Sequence, residues 1–183
     1  MSADKQKAPS AIDALELLKA DHERVMNLFR EFDTLRGRDD DDERKSALVD
    51  EICYELTLHT MLEEEIFYPV LRAAVGDDDL MDEADVEHAG ARELISQLEV
   101  MYPGDDHFDA TVTVLGEEVE HHIAKEEGEM FEAARKADLD LGELGEQLAA
   151  RKEELDEDLS SPATSIDAME PRSNVRWPTR PPN

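Results

Sequence analysis

The sequence predicts an all-α protein: an antiparallel up-and-down four-helix bundle, an additional C-terminal helix and a disordered tail. Three observations carry this. Charged residues make up 37% of the 183 residues and aromatic residues 5%, a balance that suits long amphipathic helices better than sheet. Apolar residues recur at steps of three and four through successive long segments, which is the period of a helix with one buried face. Between those segments lie short runs rich in Asp, Gly and Pro, which break helices and turn the chain.

The elements follow in order. Residues 1–9 are polar and read as a flexible N-terminus, and Pro9 with Ser10 as N-cap offers a helix start. The first helix then runs to about residue 36, with Leu15, Leu18, His22, Val25, Phe29 and Phe32 along its seam. GRDDDDE at 37–43 connects to a second helix over 44–74, whose seam is Ile52, Leu56, His59, Glu63, Ile66 and Val70. Pro69 is expected to kink that helix or end it early. GDDDL at 76–80 is the next turn. The third helix carries Ala84, His88, Ala91, Ile95, Leu98 and Tyr102 in one register until Pro103 and Gly104 stop it. The fourth, over 108–136, points Val112, Leu115, Val119, His122, Glu126, Met130 and Ala133 inward. Residues 10–136 thus form the bundle. Leu141, Leu144, Leu148, Leu155 and Leu159 mark an accessory helix over 137–159 that packs outside it, and residues 160–183, with Pro, Arg172, Arg176, Trp177 and Arg180, have too little apolar material to order themselves.

A formal net charge of −29 speaks against binding nucleic acid or an anionic membrane, because the attraction to phosphate would be inverted. A cation is the natural guest. Cys53 is the single cysteine, so no intrachain disulfide forms. The start MSADKQKAPS has no apolar core of a signal peptide, and no stretch approaches the roughly 18 apolar residues of a membrane span. The expected location is cytoplasmic.

The chemistry lies in the seams. In chain order they carry His22, then His59-x-x-x-Glu63, then His88, then His122-x-x-x-Glu126. A spacing of four puts His and Glu on one helix face, about 5–6 Å apart at Cβ. HTMLEEEIFY after residue 58 matches HIAKEEGEMF after residue 121, and His22 to His59 spans nearly the same length as His88 to His122, which reads as the duplication of a helical hairpin. A lone HxxxE says little in a chain this acidic. Six ionisable groups at core positions say more, because each costs several kcal/mol unless neutralised or coordinated. A buried hydrogen-bonded network without metal is one reading. Two divalent cations bridged by Glu63 and Glu126, with the four histidines as terminal ligands, would satisfy every polar atom, and the donor set suits iron, manganese or zinc better than magnesium or calcium. His121 points away from the seam, His107 sits in a connection, and Glu64 and Glu127 are expected to face a neighbouring helix or solvent. Tyr68 is a candidate extra ligand or redox partner if the backbone bends near Pro69.

These residues resemble the hemerythrin-like, or HHE cation-binding, family. DHERV around His22, HTMLEEEIFYP around His59 and HHIAKEEGEMF around His122 look like its segments, and the likeness covers residues 12–136. It implies an oxo- or hydroxo-bridged pair of iron ions, with manganese or zinc as the lesser alternatives, held by His22, His59, Glu63, His88, His122 and Glu126. Ala84 stands where oxygen-carrying members have a fifth histidine, and Glu126 stands for the usual aspartate bridge. The resemblance therefore implies open metal positions and a small oxidant partner, dioxygen, hydrogen peroxide or nitric oxide, with catalase-like peroxide disproportionation favoured. A carrier, store or sensor without turnover is the alternative, and a metal-free helical adaptor acting through its acidic surface is a third.

Overall fold

The computed structural model describes residues 13–38, 41–76 and 78–160; the predicted start at Pro9 and Ser10 and the tail beyond residue 160 lie outside the described residues. Helix α1 spans Ala14–Leu35 and is capped by Asp13, whose carboxylate accepts the Leu15 N–H at 2.8 Å. The second rod is α2, Asp42–Leu62, a π-helical turn at Glu63–Phe67, and α3, Tyr68–Val75. Gly76, at φ 69°, closes it with its N–H on the Arg72 carbonyl, a left-handed conformation that glycine adopts without strain. The third rod is α4, Asp78–Leu98. The fourth is α5, Phe108–Lys125, a second π-helical turn at Glu126–Met130, and α6, Phe131–Lys136. Helix α7, Leu141–Ser160, follows. No strand occurs among the described residues.

The core shows how the rods run. One apolar cluster takes Leu15 and Leu18 from the start of α1, Leu62 and Leu71 from the end of the second rod, Met81 and Ala84 from the start of α4, and Phe131 and Ala134 from the end of the fourth rod. The other takes Phe29 and Phe32, Leu48 and Ile52, Ile95 and Leu98, and Phe108 and Leu115 from the opposite ends. Successive rods therefore alternate in direction, as short connections between neighbouring helices require. Helix α7 packs on α1 and α2 and gives Leu144, Leu148 and Leu155 to the first cluster. Leu159 is 42% exposed and takes no part.

Two expectations need correction. Tyr102 does not continue the third seam: α4 ends at Leu98 and the Tyr102 side chain is 72% exposed. Proline disfavours helical backbone in the residue before it, and Tyr102 instead exchanges hydrogen bonds with Asp105, its N–H to the carboxylate at 2.8 Å and its carbonyl accepting the Asp105 N–H at 2.9 Å. The register beyond each seam glutamate also shifts. A π turn holds one residue more than an α turn, so Phe67, Tyr68 and Leu71 are buried where Ile66 and Val70 were expected, and Phe131 and Ala134 where Ala133 was.

Candidate metal centre

His22, His59, Glu63, His88, His122 and Glu126 form one polar layer between the two apolar clusters, and all six are buried. The structure thus brings together every residue that the seam positions and spacing single out. Their donor atoms fall into two groups that share Glu63: His22, His59, Glu63 and Glu126 in one, and Glu63, His88 and His122 in the other, with the donors of each group within 4.8 Å of one another.

Contacts within the layer are short. His22 Nε2 lies 3.1 Å from His59 Nε2, and His88 Nε2 lies 3.2 Å from His122 Nε2. Such pairs turn lone pairs toward a common point. His59 Nε2 approaches Glu63 Oε1 to 3.0 Å, His22 Nε2 approaches Glu126 Oε2 to 3.0 Å, and His88 Nε2 approaches Glu63 Oε2 to 3.2 Å. Despite these distances, Glu63 Oε1 and both oxygens of Glu126 are buried without a hydrogen-bond partner. Orphaned carboxylate oxygens are expensive inside a protein, and imidazole with carboxylate is a donor set that fits a divalent transition metal.

Without a metal the layer balances its charge with protons. Burial works against a charged His22, but the Glu126 and Glu63 carboxylates beside it raise its pKa to about 10. Burial, reinforced by the charge of Glu63, raises Glu126 to about 8. Burial also pushes Glu63 up, but His59, His22 and His88 around it outweigh that and hold it well below the ordinary carboxylate range. His122 is lowered, chiefly by burial, while His88 is raised because Glu63 and Glu64 overcome its burial. Glu63 thus favours its ionised form, while His22 and Glu126 both hold a proton more tightly than they would in water.

A second ring of acids orients the histidines. His22 Nδ1 meets Glu127 Oε1 at 3.1 Å, His88 Nδ1 meets Glu64 Oε1 at 3.0 Å, and His122 Nδ1 meets Glu87 Oε2 at 2.8 Å. Asp21 stands in the same relation to His59, at 4.0 Å. Carboxylates in this position fix the imidazole tautomer and leave Nε2 free to coordinate. Glu64 and Glu127 do face neighbouring helices, as expected, but what they meet there are the rings of the cage. Asp21 and Glu87 went unrecognised in the sequence. The signal was present in the duplication, since each precedes the first histidine of its hairpin. His121 and His107 are exposed and take no part.

Tyr68 reaches the layer by a different route from the one expected. The π turn that ends just before Tyr68 carries it there, with the Tyr68 N–H bonded to the Glu63 carbonyl five residues back. Its hydroxyl lies 3.2 Å from Glu63 Oε2, 3.3 Å from His88 Nε2 and 3.4 Å from His122 Nε2, while burial and the charges of Glu63 and Glu126 raise its pKa. Its counterpart in the duplicated hairpin is Phe131, stacked on His22 at 6.0 Å between ring centroids. The two donor groups therefore differ in their oxygen donors: Glu126 stands in the first only, and the Tyr68 hydroxyl lies at the second only. On the other side, a cavity of about 20 Å³ touches all four histidines and is walled by Val25, Leu56, Ala91 and Val119. It has room for roughly one water-sized molecule.

A helical bundle whose buried His/Glu layer forms two adjoining donor groups belongs to the class of bundle proteins built to hold metal cations in the core. The comparisons make that specific: the family described as Hemerythrin HHE cation binding domain matches residues 13–134, and the chain belongs to that family. An uncharacterized protein of Mycobacterium tuberculosis strain H37Rv, Rv2633c, is 32% identical over 123 residues, covering 62% of this chain and 70% of its own. A DNA nickase of Nostoc sp. strain PCC 7120 is 28% identical over 120 residues, covering 66% of this chain, which spans only 33% of that protein's length. The crystal structure of a Hemerythrin HHE cation binding domain-containing protein from Mycobacterium kansasii, a homolog of Rv2633c, superimposes with a TM-score of 0.67 at 28% identity, covering 82% of this chain and 94% of its own. No helix among the described residues is long and apolar enough to cross a membrane.

Proposed function

We propose that this chain is a non-haem di-iron protein that consumes a small oxidant, with hydrogen peroxide the favoured substrate and dioxygen or nitric oxide as further ligands. His22, His59, Glu63 and Glu126 would hold one iron, and Glu63, His88 and His122 the other, with Tyr68 as an added oxygen donor at the second position. The observation that carries this is the set of three buried, unpartnered carboxylate oxygens surrounded by four imidazole Nε2 atoms. Two adjacent irons bound there would supply the two-electron exchange by which one peroxide is reduced to water and a second is oxidised to dioxygen, 2 H₂O₂ giving 2 H₂O and O₂.

The chain's own residues set the conditions. Glu64, Glu87 and Glu127 hold three rings in the tautomer that presents Nε2. Val25, Leu56, Ala91 and Val119 narrow the cavity beside the rings to about 20 Å³, room for roughly one water-sized molecule, which favours the smallest oxidants. The nicking activity named for the Nostoc protein does not carry over, since a chain with a net charge of −29 repels a phosphate backbone.

The test is to quantify the metal in aerobically purified protein and record oxygen release as peroxide is added. About two irons per chain with sustained release agrees with a disproportionating enzyme, whereas two irons with at most stoichiometric change would make it a carrier, store or sensor. A folded chain that neither keeps nor rebinds metal would sink the proposal.

A further inference from the structure

Helix α7 lies beyond the residues that match the family, yet it touches the ring of acids around the cage. Lys152 pairs with Asp21 Oδ1, and Asp21 is the residue before His22. Its other oxygen, Oδ2, is buried without a hydrogen bond, and so is His59 Nδ1, 4.0 Å away. Each of the other three rings already has a carboxylate on Nδ1, at 3.1, 3.0 and 2.8 Å. A histidine that gives Nε2 to a metal carries its proton on Nδ1 and needs an acceptor there. Asp21 Oδ2 is the group placed to be that acceptor.

The duplication shows why the cation comes from α7. In the second hairpin, Glu87 serves His122 and is paired at 3.8 Å with Lys125, three residues beyond His122 on the same helix. The matching position in the first hairpin, three residues beyond His59, is Leu62, which is fully buried in the first apolar cluster. That position in the first half supplies no cation, Lys19 and Arg24 beside Asp21 pair with Glu127, Glu51 and Glu55, and Lys152 reaches Asp21 from outside the bundle.

Building on the proposed metal cage, we propose that Lys152 is a positioning residue for the metal site: it holds Asp21 with Oδ2 turned toward His59, so that docking of α7 and metal loading at the His22/His59 position stabilise each other. Such coupling is reciprocal. Metal should tighten α7, and loosening the Lys152 contact should weaken the metal.

The experiment compares the full chain with its Lys152→Met, Lys152→Arg, Asp21→Asn and Tyr54→Phe variants. Tyr54→Phe removes the hydroxyl that bonds Asp156 of α7 without touching Asp21, so it weakens docking by another route. Each protein is titrated anaerobically with Fe²⁺, and separately with Zn²⁺, against a chromophoric chelator, and amide hydrogen exchange of residues 141–160 is followed with and without metal. Circular dichroism confirms helicity. Lys152→Met and Asp21→Asn should weaken one of two metal positions about tenfold, with recovery in Lys152→Arg and a clearly smaller loss in Tyr54→Phe, the share that docking alone transmits. Zn²⁺ should slow exchange in α7 of the wild type and not of Asp21→Asn. The proposal is overturned if Lys152→Met keeps both affinities within about twofold, or if Tyr54→Phe weakens metal as much as Lys152→Met does, which would reduce the effect to packing. A wild-type chain that binds neither ion would overturn the cage itself.

Discussion

Glu126→Gln separates a metal cage from a merely hydrogen-bonded core, because the two give opposite signs. Glu126 is fully buried, and its pKa is raised from 4.5 to about 8 by burial and by Glu63. Between those values the folded metal-free protein holds a proton that the unfolded chain has released. The native state therefore binds more protons, and stability falls as pH rises through that window. At pH 7 the penalty, with one unit worth 1.36 kcal/mol, is on the order of 3 kcal/mol. Glutamine has the same shape and no charge to desolvate. The chelator-treated variant should thus be more stable than the wild type at pH 7 by up to that amount, with the difference vanishing near pH 4.5. Urea unfolding of both proteins at pH 5 and pH 7 reads it directly, since with a slope of about 2 kcal/mol/M the midpoint moves by more than 1 M. Added Fe²⁺ or Zn²⁺ should then reverse the order, because the variant has lost a carboxylate ligand while the wild type gains stability by mass action. A metal-free variant less stable than the wild type by 1 kcal/mol or more at pH 7 would refute the reasoning, since it would mean that the carboxylate is already well satisfied by its protein neighbours.

Tyr68→Phe keeps the packed ring and removes the hydroxyl that sits 3.2 Å from Glu63 Oε2; it should weaken one of two irons by about tenfold and abolish any visible phenolate-to-iron(III) absorption, and an unchanged spectrum would exclude Tyr68 from coordination. Metal uptake should depend steeply on pH. Loading needs an ionised Glu126 and a neutral His22, whose pKa values are about 8 and about 10, so affinity should drop about a hundredfold per unit below pH 8, where two protons must leave, and about tenfold per unit between 8 and 10; calorimetry in buffers of different protonation enthalpy counts the released protons. Ala91 lines the cavity of about 20 Å³ and is not among the cage donors, so Ala91→Val should narrow that cavity while leaving every donor in place. Iron content should stay at the wild-type level while oxygen release from peroxide falls at least tenfold, by analogy with the large penalty for misplacing or excluding a reactant; equal rates would place substrate access elsewhere.

How far the sequence could be read is decided by what periodicity encodes. A step of three and four gives the buried face of a straight helix, and that was enough to bring His22, His59, Glu63, His88, His122 and Glu126 to one layer and to set four rods antiparallel. It does not encode an extra residue inside a turn. Both π turns begin at the seam glutamates, Glu63 and Glu126, so the phase was lost beyond the cage, at Ile66, Val70 and Ala133, and Tyr68 looked half a turn off when it faces inward. Helix ends were missed where local bonds override the pattern, as at Tyr102. The acids behind the histidines were hidden for a different reason: in a chain with 48 acidic residues, an Asp or Glu next to a His carries little weight by itself, and only its repetition before His88 as before His22 sets it apart.

The duplication makes the remaining differences between the halves informative. Asp21 answers to Glu87, Glu64 to Glu127, and one π turn to the other, so the two hairpins repeat even their outer carboxylates. The departures lie at the cage or directly behind it: Tyr68 against Phe131, and Leu62 with the distant Lys152 against Lys125. These departures make the two candidate metal positions chemically distinct. One gains a phenol oxygen and has its histidine acceptors preformed. The other takes both glutamates but waits on Asp21 to complete the support of His59. On the proposed cage that difference would order the filling: the Glu63, His88 and His122 position, already braced by Glu64 and Glu87, should load before the His22 and His59 position, and two separated steps in the Fe²⁺ titration, with only the second weakened in Asp21→Asn, would bear this out, whereas a single step would refute it.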